Sequence, residues 1–241
     1  MIDSYKNEIT MLEKLQHSNR VIKLFGHEIV RPDNLLYIVM ECGDCDLATK
    51  FNDRFSRKNI TRNLVRFYWE EMLACIAVIH AEGIVHSDLK PANFLLVHGD
   101  LKLIDFGIAN AIQSDKTSIT RDSQIGTLNY MSPEAILDTQ PPQEDSADEE
   151  AKPRIKIGTQ SDVWSLGCIL YSMVYGKTPF HHLTNHLSKI QAIINPKFNI
   201  KFADVKNEHL LDVMKKCLNR DPKSRPSVEQ LLAHPYLRMG D

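Results

Sequence analysis

Residues 86–105 read HSDLKPANFLLVHGDLKLID, and no other stretch limits the fold so tightly. Two apolar runs, FLLV and LKLI, flank HGD, whose Gly and Asp suit a tight reversal. The spacing therefore predicts a short β-hairpin. Asn93 stands immediately before the first run and Asp105 immediately after the second. Strand pairing would bring this amide and carboxylate to the open end of the hairpin, about 5 Å apart across the ladder. Asp88 and Lys90 sit on the loop that leads in.

An amide oxygen beside a carboxylate is a hard-oxygen donor pair. It suits Mg2+, which takes a few protein oxygens and completes its octahedron with water and phosphate. Asp88, five residues before Asn93, can accept a proton from a hydroxyl held over such a metal, and Lys90 can neutralise a transferring phosphoryl group. A base, a cation and two metal ligands meet the needs of phosphoryl transfer, whose catalysis is mostly positioning and charge stabilisation. His86 taken alone reads as a hydrogen-bonded core histidine.

The remaining patterns supply the frame. Residues 4–16 carry Ile9, Leu12 and Leu15 at helical spacing behind a capping Asp3 or Ser4, with Glu8 on the same stripe. VIKLFGHEIV and LLYIVMEC, joined by the turn former RPDN, predict an antiparallel pair. A long amphipathic helix is predicted over 61–81, from Leu64, Tyr68, Met72, Ile76 and Ile79, with Gly83 past its end. SDVWSLGCILYSMVY, residues 161–175, is apolar nearly all round and predicts a central buried helix beginning at a capping serine and stopping before Gly176 and Pro179. EHLLDVMKKCL and SVEQLLAHPYL predict two short helices around NRDPKSRP. Residues 138–158, rich in Pro, Glu, Asp, Ser and Gln and without aromatics, predict a disordered insertion, a solvated spacer rather than an acidic docking surface.

Composition excludes several classes. Twenty-nine basic against thirty-one acidic residues give no global argument for nucleic acid or an anionic membrane as partner. No run of about 18 apolar residues offers a membrane span, and MIDSYKNEIT lacks the basic-then-apolar opening of a signal peptide, so an intracellular protein is expected. The five cysteines read as reduced thiols; Cys42 and Cys45 form a C-x-x-C, but no second ligand pair follows to complete a zinc site.

The pattern H-x-D-x-K-P-x-N at 86–93, DFG at 105–107 and SPE at 132–134 resembles, in order, the catalytic loop, the magnesium loop and the end of the activation segment of eukaryotic protein kinases. YKNEI, MECG, HSDLKPANF, LKLIDFGIAN, GTLNYM, SDVWSLGCILY, YGKTPF and LLAHPYL together resemble the monopolar spindle, TTK-type dual-specificity mitotic checkpoint kinases. The resemblance implies an α+β, protein-kinase-like two-lobe fold. Residues 1–43 would form a small truncated N-lobe with antiparallel strands and the hinge, and residues 44–237 a mainly α-helical C-lobe. It further implies transfer of the γ-phosphoryl group of ATP, with Mg2+, to Ser, Thr and in some cases Tyr of protein substrates. Kinetochore proteins are the implied partners, in the nucleus, the cytoplasm and at the kinetochore.

By the same resemblance Asp88 is the catalytic base, Lys90 contacts the γ-phosphate, Thr127 hydrogen-bonds toward both, and Asn93 and Asp105 hold Mg2+. Glu8 is the helix C glutamate, with Leu12 one turn on; Met40 guards the nucleotide pocket; Glu41, Cys42 and Gly43 form the hinge along adenine, and Leu95 its floor. His86 and Phe106 are packing residues, Asp162 braces the catalytic loop, and Glu134 pairs with Arg225. Ser87 stands where most kinases have the arginine that receives an activation-loop phosphate. Any phosphate on Thr117, Ser118, Thr120 or Ser123 therefore needs another cation, and autophosphorylation is expected around Thr117 to Thr120.

One departure is large. Kinases place a Gly-rich strand pair and a strand lysine before helix C, yet the sequence has no G-x-G, and only Lys6 precedes Glu8. The expectation is an N-terminally truncated form of an active kinase, binding nucleotide weakly and turning over little by itself; the alternative is a catalytically impaired short form acting as a scaffold. A small-molecule phosphotransferase fits less well, because GTLNYMSPE and SDVWSLG resemble parts that organise a peptide-substrate surface.

Overall fold

The computed structural model describes residues 9–30, 35–56, 60–105, 128–138 and 157–238. In chain order these hold β1 (Leu24–Val30), β2 (Leu35–Met40), β3 (Cys45–Asp46), α1 (Leu47–Ser56), α2 (Arg62–Ala81), β4 (Phe94–Val97), β5 (Asp100–Leu103), α3 (Pro133–Asp138), α4 (Thr159–Tyr175), α5 (His186–Ile194), α6 (Glu208–Cys217), α7 (Val228–Leu232) and α8 (Pro235–Arg238). Residues 9–14 are helical ahead of β1. Of the helix expected over 4–16, residues 4–8 lie outside the described residues, as do RPDN and positions 139–156 of the expected insertion.

β1 and β2 pair antiparallel, from Val30↔Leu35 to Leu24↔Met40. The first strand was expected from Val21, but it begins at Leu24. Residues 20–22 are taken elsewhere: Leu103 N–H donates to the Arg20 carbonyl at 2.8 Å, and Ile22 N–H donates to the Leu103 carbonyl at 3.0 Å. Val21 and Ile22 are buried at this junction. It stitches the N-terminal segment to a second, three-stranded sheet of order β3-β4-β5.

In that sheet the predicted hairpin forms with a shifted second strand. Phe94↔Leu103 and Val97↔Asp100 are partners, so β5 reads DLKL rather than LKLI. The turn is His98-Gly99 alone, with φ of 52° and 95°. Positive φ at both central positions is the type I′ reversal, whose twist matches that of the strands it joins.

Helix ends follow their local chemistry. Thr61 caps α2 by accepting the Leu64 N–H at 3.3 Å. The same helix closes in a Schellman motif: Gly83, at φ 71°, donates to the His80 carbonyl and Ile84 donates to the Ile79 carbonyl. α4 is buried along nearly its whole length, as predicted. It begins two residues earlier than expected, with Gly158 as cap, because the Ser161 hydroxyl lies 2.6 Å from that of Ser132 instead of capping. α6 packs closely against Gly167, where a Cβ would lie 2.7 Å from Cys217 Cβ. The pattern in SVEQLLAHPYL divides into α7 and α8, Pro235 opening the second.

One hydrophobic cluster runs from Leu12 and Leu15 through α2, β4, β5 and α4 to Leu237. All five cysteines are free. Among the described residues no helix is long and apolar enough to cross a membrane.

Candidate active site

The loop from His86 to Asn93 is held from below by α4. Asp162, fully buried in the first turn of that helix, accepts the His86 N–H on Oδ2 at 3.0 Å and the Ser87 N–H on Oδ1 at 2.9 Å. His80 Nε2 from α2 lies 2.8 Å from the same Oδ2. A buried carboxylate is tolerated only with such partners, and the positive end of the helix dipole favours it further. The brace expected of Asp162 is thus present as two main-chain bonds. They hold Ser87 at φ 67°, a left-handed conformation that a non-glycine residue adopts at a cost of about 1–3 kcal/mol.

His86 is fully buried. Burial pushes its imidazole below the ordinary histidine range, while the charges of Asp162, Asp105 and Asp88 pull the other way. Its Nδ1 accepts the Asp88 N–H at 3.4 Å.

The rest of the loop folds on itself. Lys90 Nζ lies 2.9 Å from Asp88 Oδ2, with both side chains partly open to solvent. Lys90 N–H donates to Asn93 Oδ1 at 2.9 Å, and Asn93 N–H returns to the Lys90 carbonyl at 3.0 Å around a short 3-10 turn, Pro91–Asn93. The Asn93 carbonyl accepts the Ile104 N–H at 2.8 Å. Asn93 therefore faces Ile104, and Asp105 is the next residue, one step beyond the position the predicted pairing implied. Asp105 has φ 63° and is exposed.

This donor set fits magnesium. The Asn93 amide oxygen keeps a second lone pair beyond its Lys90 bond, and Asp105 adds a carboxylate at the same end of the hairpin. No group of three or more His, Cys, Asp or Glu suited to a metal occurs among the described residues. Mg2+ needs none, because nucleotide phosphates and water complete its shell.

The residues expected along adenine lie where β2 runs into β3. Met40 ends β2 and is 43% exposed. Glu41 N–H is committed to the Lys23 carbonyl at 2.8 Å, so of its two backbone groups the carbonyl is the one it can offer a ligand. Cys42 is exposed. Gly43 lies against Leu95, and a Cβ on it would stand 2.3 Å from Leu95 Cγ. The structure thus brings Gly43 and Leu95, the residues expected as hinge and floor, into contact. Asp44 N–H then donates to the Leu96 carbonyl at 2.7 Å and leads into β3.

The Glu134–Arg225 pair is bidentate, Nη1 to Oε1 at 2.6 Å and Nη2 to Oε2 at 2.9 Å. Arg225 also donates to the carbonyls of Asn219, Gln160 and Arg220, and its guanidinium stands 5.1 Å from the Trp164 ring. Ser165, one turn beyond Asp162 on α4, donates to the Tyr130 carbonyl at 2.7 Å. Glu8, Phe106, Thr127 and the hydroxyls of Thr117, Ser118, Thr120 and Ser123 lie outside the described residues.

Sequence reasoning missed His80 on Asp162 and Lys102, whose Nζ lies 2.7 Å from Glu41 Oε2. Neither carries a local signal, since each partner is set by tertiary register. A cavity of about 530 Å³ opens between the starts of α2 and α6 and the end of α4, over Val65, Met173, Leu210 and Tyr236. None of the described site residues predicted from the sequence lines it.

A family model described as protein kinase domain matches residues 1–237. The chain is 54% identical over 239 residues to the dual specificity protein kinase Ttk of Danio rerio, covering 99% of this chain and 23% of that protein. It is 52% identical over 239 residues to dual specificity protein kinase TTK of Mus musculus, covering 99% and 27%. It is 47% identical over 254 residues to serine/threonine-protein kinase mph1 of Schizosaccharomyces pombe, covering 98% and 36%. The chain thus spans about a quarter to a third of the length of these relatives. A small antiparallel-sheet region, a mostly helical remainder and a family match across nearly the whole sequence agree: this chain belongs to the protein kinase domain family.

Proposed function

We propose that the protein transfers the γ-phosphoryl group of ATP to Ser and Thr of protein substrates, and to Tyr in the dual-specificity manner named for its relatives. In this reading Asp88 accepts the proton of the substrate hydroxyl as it attacks, and Lys90 lies beside it to meet the charge of the transferring group. Asn93 and Asp105 would hold Mg2+, which supplies neutralisation of the phosphate oxygens. Glu41, Cys42 and Gly43 would take the edge of adenine under the guard of Met40, with Leu95 beneath. Glu8 and Thr127 would complete the nucleotide and catalytic sides. Residues 1–43 would serve as the nucleotide-side lobe and residues 44–237 as the substrate-side lobe. Kinetochore proteins as substrates and a role in the mitotic spindle checkpoint follow from resemblance to the TTK-type relatives.

The observation that carries the reading is the ion pair of Asp88 and Lys90 on a loop whose backbone is gripped by buried Asp162. Transfer from Mg-ATP to a generic Ser/Thr protein substrate tests it, with Asp88→Asn as the control. Weak transfer by the unmodified protein, lost in the variant, is expected. Transfer that survives would remove Asp88 from the role of base, and nucleotide binding without transfer by the unmodified protein would turn the reading to a scaffold.

A further inference from the structure

Glu41 is held from three directions. Its N–H donates to the Lys23 carbonyl at 2.8 Å, and its Oε2 accepts the Lys23 N–H at 3.2 Å. Lys102 Nζ then lies 2.8 Å from Oε1 and 2.7 Å from Oε2, astride the carboxylate. The two side chains are only 14% and 20% exposed, so the pair is sheltered from much of the solvent screening that weakens surface bridges. The Lys102 hydrogen bond also holds the Glu41 carboxyl below the usual carboxylate range.

The position of Lys102 gives the pair its meaning. It lies on β5, three residues before Asp105, and its partner across the ladder is Leu95. Leu95 in turn packs under Gly43. One ion pair therefore fastens the chain at 41–43 to the hairpin whose open end carries Asn93 and Asp105. Because the Glu41 N–H is spent on Lys23, the backbone group that Glu41 can present to a base is its carbonyl, an acceptor. An acceptor at that edge matches a purine with an exocyclic amine at C6. It opposes a purine with an oxygen there, since two acceptors then face each other.

We propose that the Lys102–Glu41 ion pair is a positioning device that fixes the Glu41 carbonyl and so selects 6-amino over 6-oxo purine nucleotides. Lys102 acts through Glu41 and touches neither base nor phosphate. The inference rests on reading residues 40–43 as the nucleotide edge.

The test is direct binding of Mg-ATP and Mg-ITP to the full chain, by displacement of a fluorescent nucleotide, so that no turnover is required. The unmodified protein is expected to bind ATP more tightly than ITP. Lys102→Met should weaken ATP about tenfold, the scale of one hydrogen bond lost at a fixed acceptor, and ITP by less than about twofold. Lys102→Arg, which keeps a cation able to span both carboxylate oxygens, should retain the preference. Lys102→Gln serves in place of Met if circular dichroism shows that the Met variant does not fold. Equal weakening of both nucleotides would make the pair a structural fastening only and overturn the proposal, as would no change in either. An unmodified protein that binds ATP and ITP equally sinks this inference and leaves phosphoryl transfer standing. One that prefers ATP yet transfers nothing does the reverse, and one that binds neither removes both.

Discussion

Arg225 shows what one side chain can hold. Its guanidinium reaches Glu134 with two hydrogen bonds and three backbone carbonyls with the rest, and it is 3% exposed. Arg225→Ala leaves Glu134 buried without its counter-charge and is expected to cost about 3–5 kcal/mol, read as a fall in the urea midpoint. His86 yields a pH prediction. Its pKa in the folded state is depressed by burial, so the unfolded chain binds the proton more readily. The stability contributed by the neutral ring is present above the unfolded value of about 6.5 and is lost as pH falls through the lower folded value. His86→Phe should flatten that acid limb in melts taken between about pH 7 and pH 5. Legibility at this scale was uneven. Asp88, Lys90 and Asn93 were legible because their spacing is local, whereas Glu134 and Arg225 stand 91 residues apart and were paired only through family resemblance. Lys102 was not legible at all: nothing in LKLI says which way an alternating strand residue will turn, or onto what.

Among the elements, α4 is buried along nearly its whole length. The Gly167 position leaves no room beside Cys217, so Gly167→Ala must push α6 away and is expected to destabilise by about 1–3 kcal/mol in thermal or urea melts. The same helix explains a partial success. An apolar pattern all round announced a buried rod, but its first turn was misplaced because Ser161 looks like a cap and instead bonds to Ser132, a residue 29 positions away. The hairpin was legible from two apolar runs, and its register slipped by one residue because His98, able to take positive φ, lets the turn close without Asp100. β3 is two residues long, too short for any periodicity to register. α1 offers only Leu47 and Phe51 as buried apolar anchors among its described side chains, a signal no stronger than many loops carry.

Across the molecule the core is continuous. Leu12 and Leu15 ahead of β1 belong to the same cluster as Leu237 in α8, and residues 20–22 are bonded directly to the end of β5. A continuous core predicts concerted unfolding: the emission of Trp69 and Trp164, both fully buried, and the far-UV dichroism of the helices should lose amplitude at one midpoint. Two separated midpoints would show that the segment before β3 melts independently. The sequence disclosed the order of the parts but not this seam, because pairing between Arg20 and Leu103 is a matter of long-range closure rather than local propensity.

α4 has a further consequence for how the site keeps its shape. Asp162 grips the loop that carries Asp88, and Ser165 grips the chain at Tyr130, on a single rod. Their separation along the axis is three residues, about 4.5 Å, a length fixed by helical rise. Parts referenced to one datum do not drift apart when the bed beneath them tilts. Thermal rocking of α4 should therefore carry both segments together and leave the gauge between them unchanged.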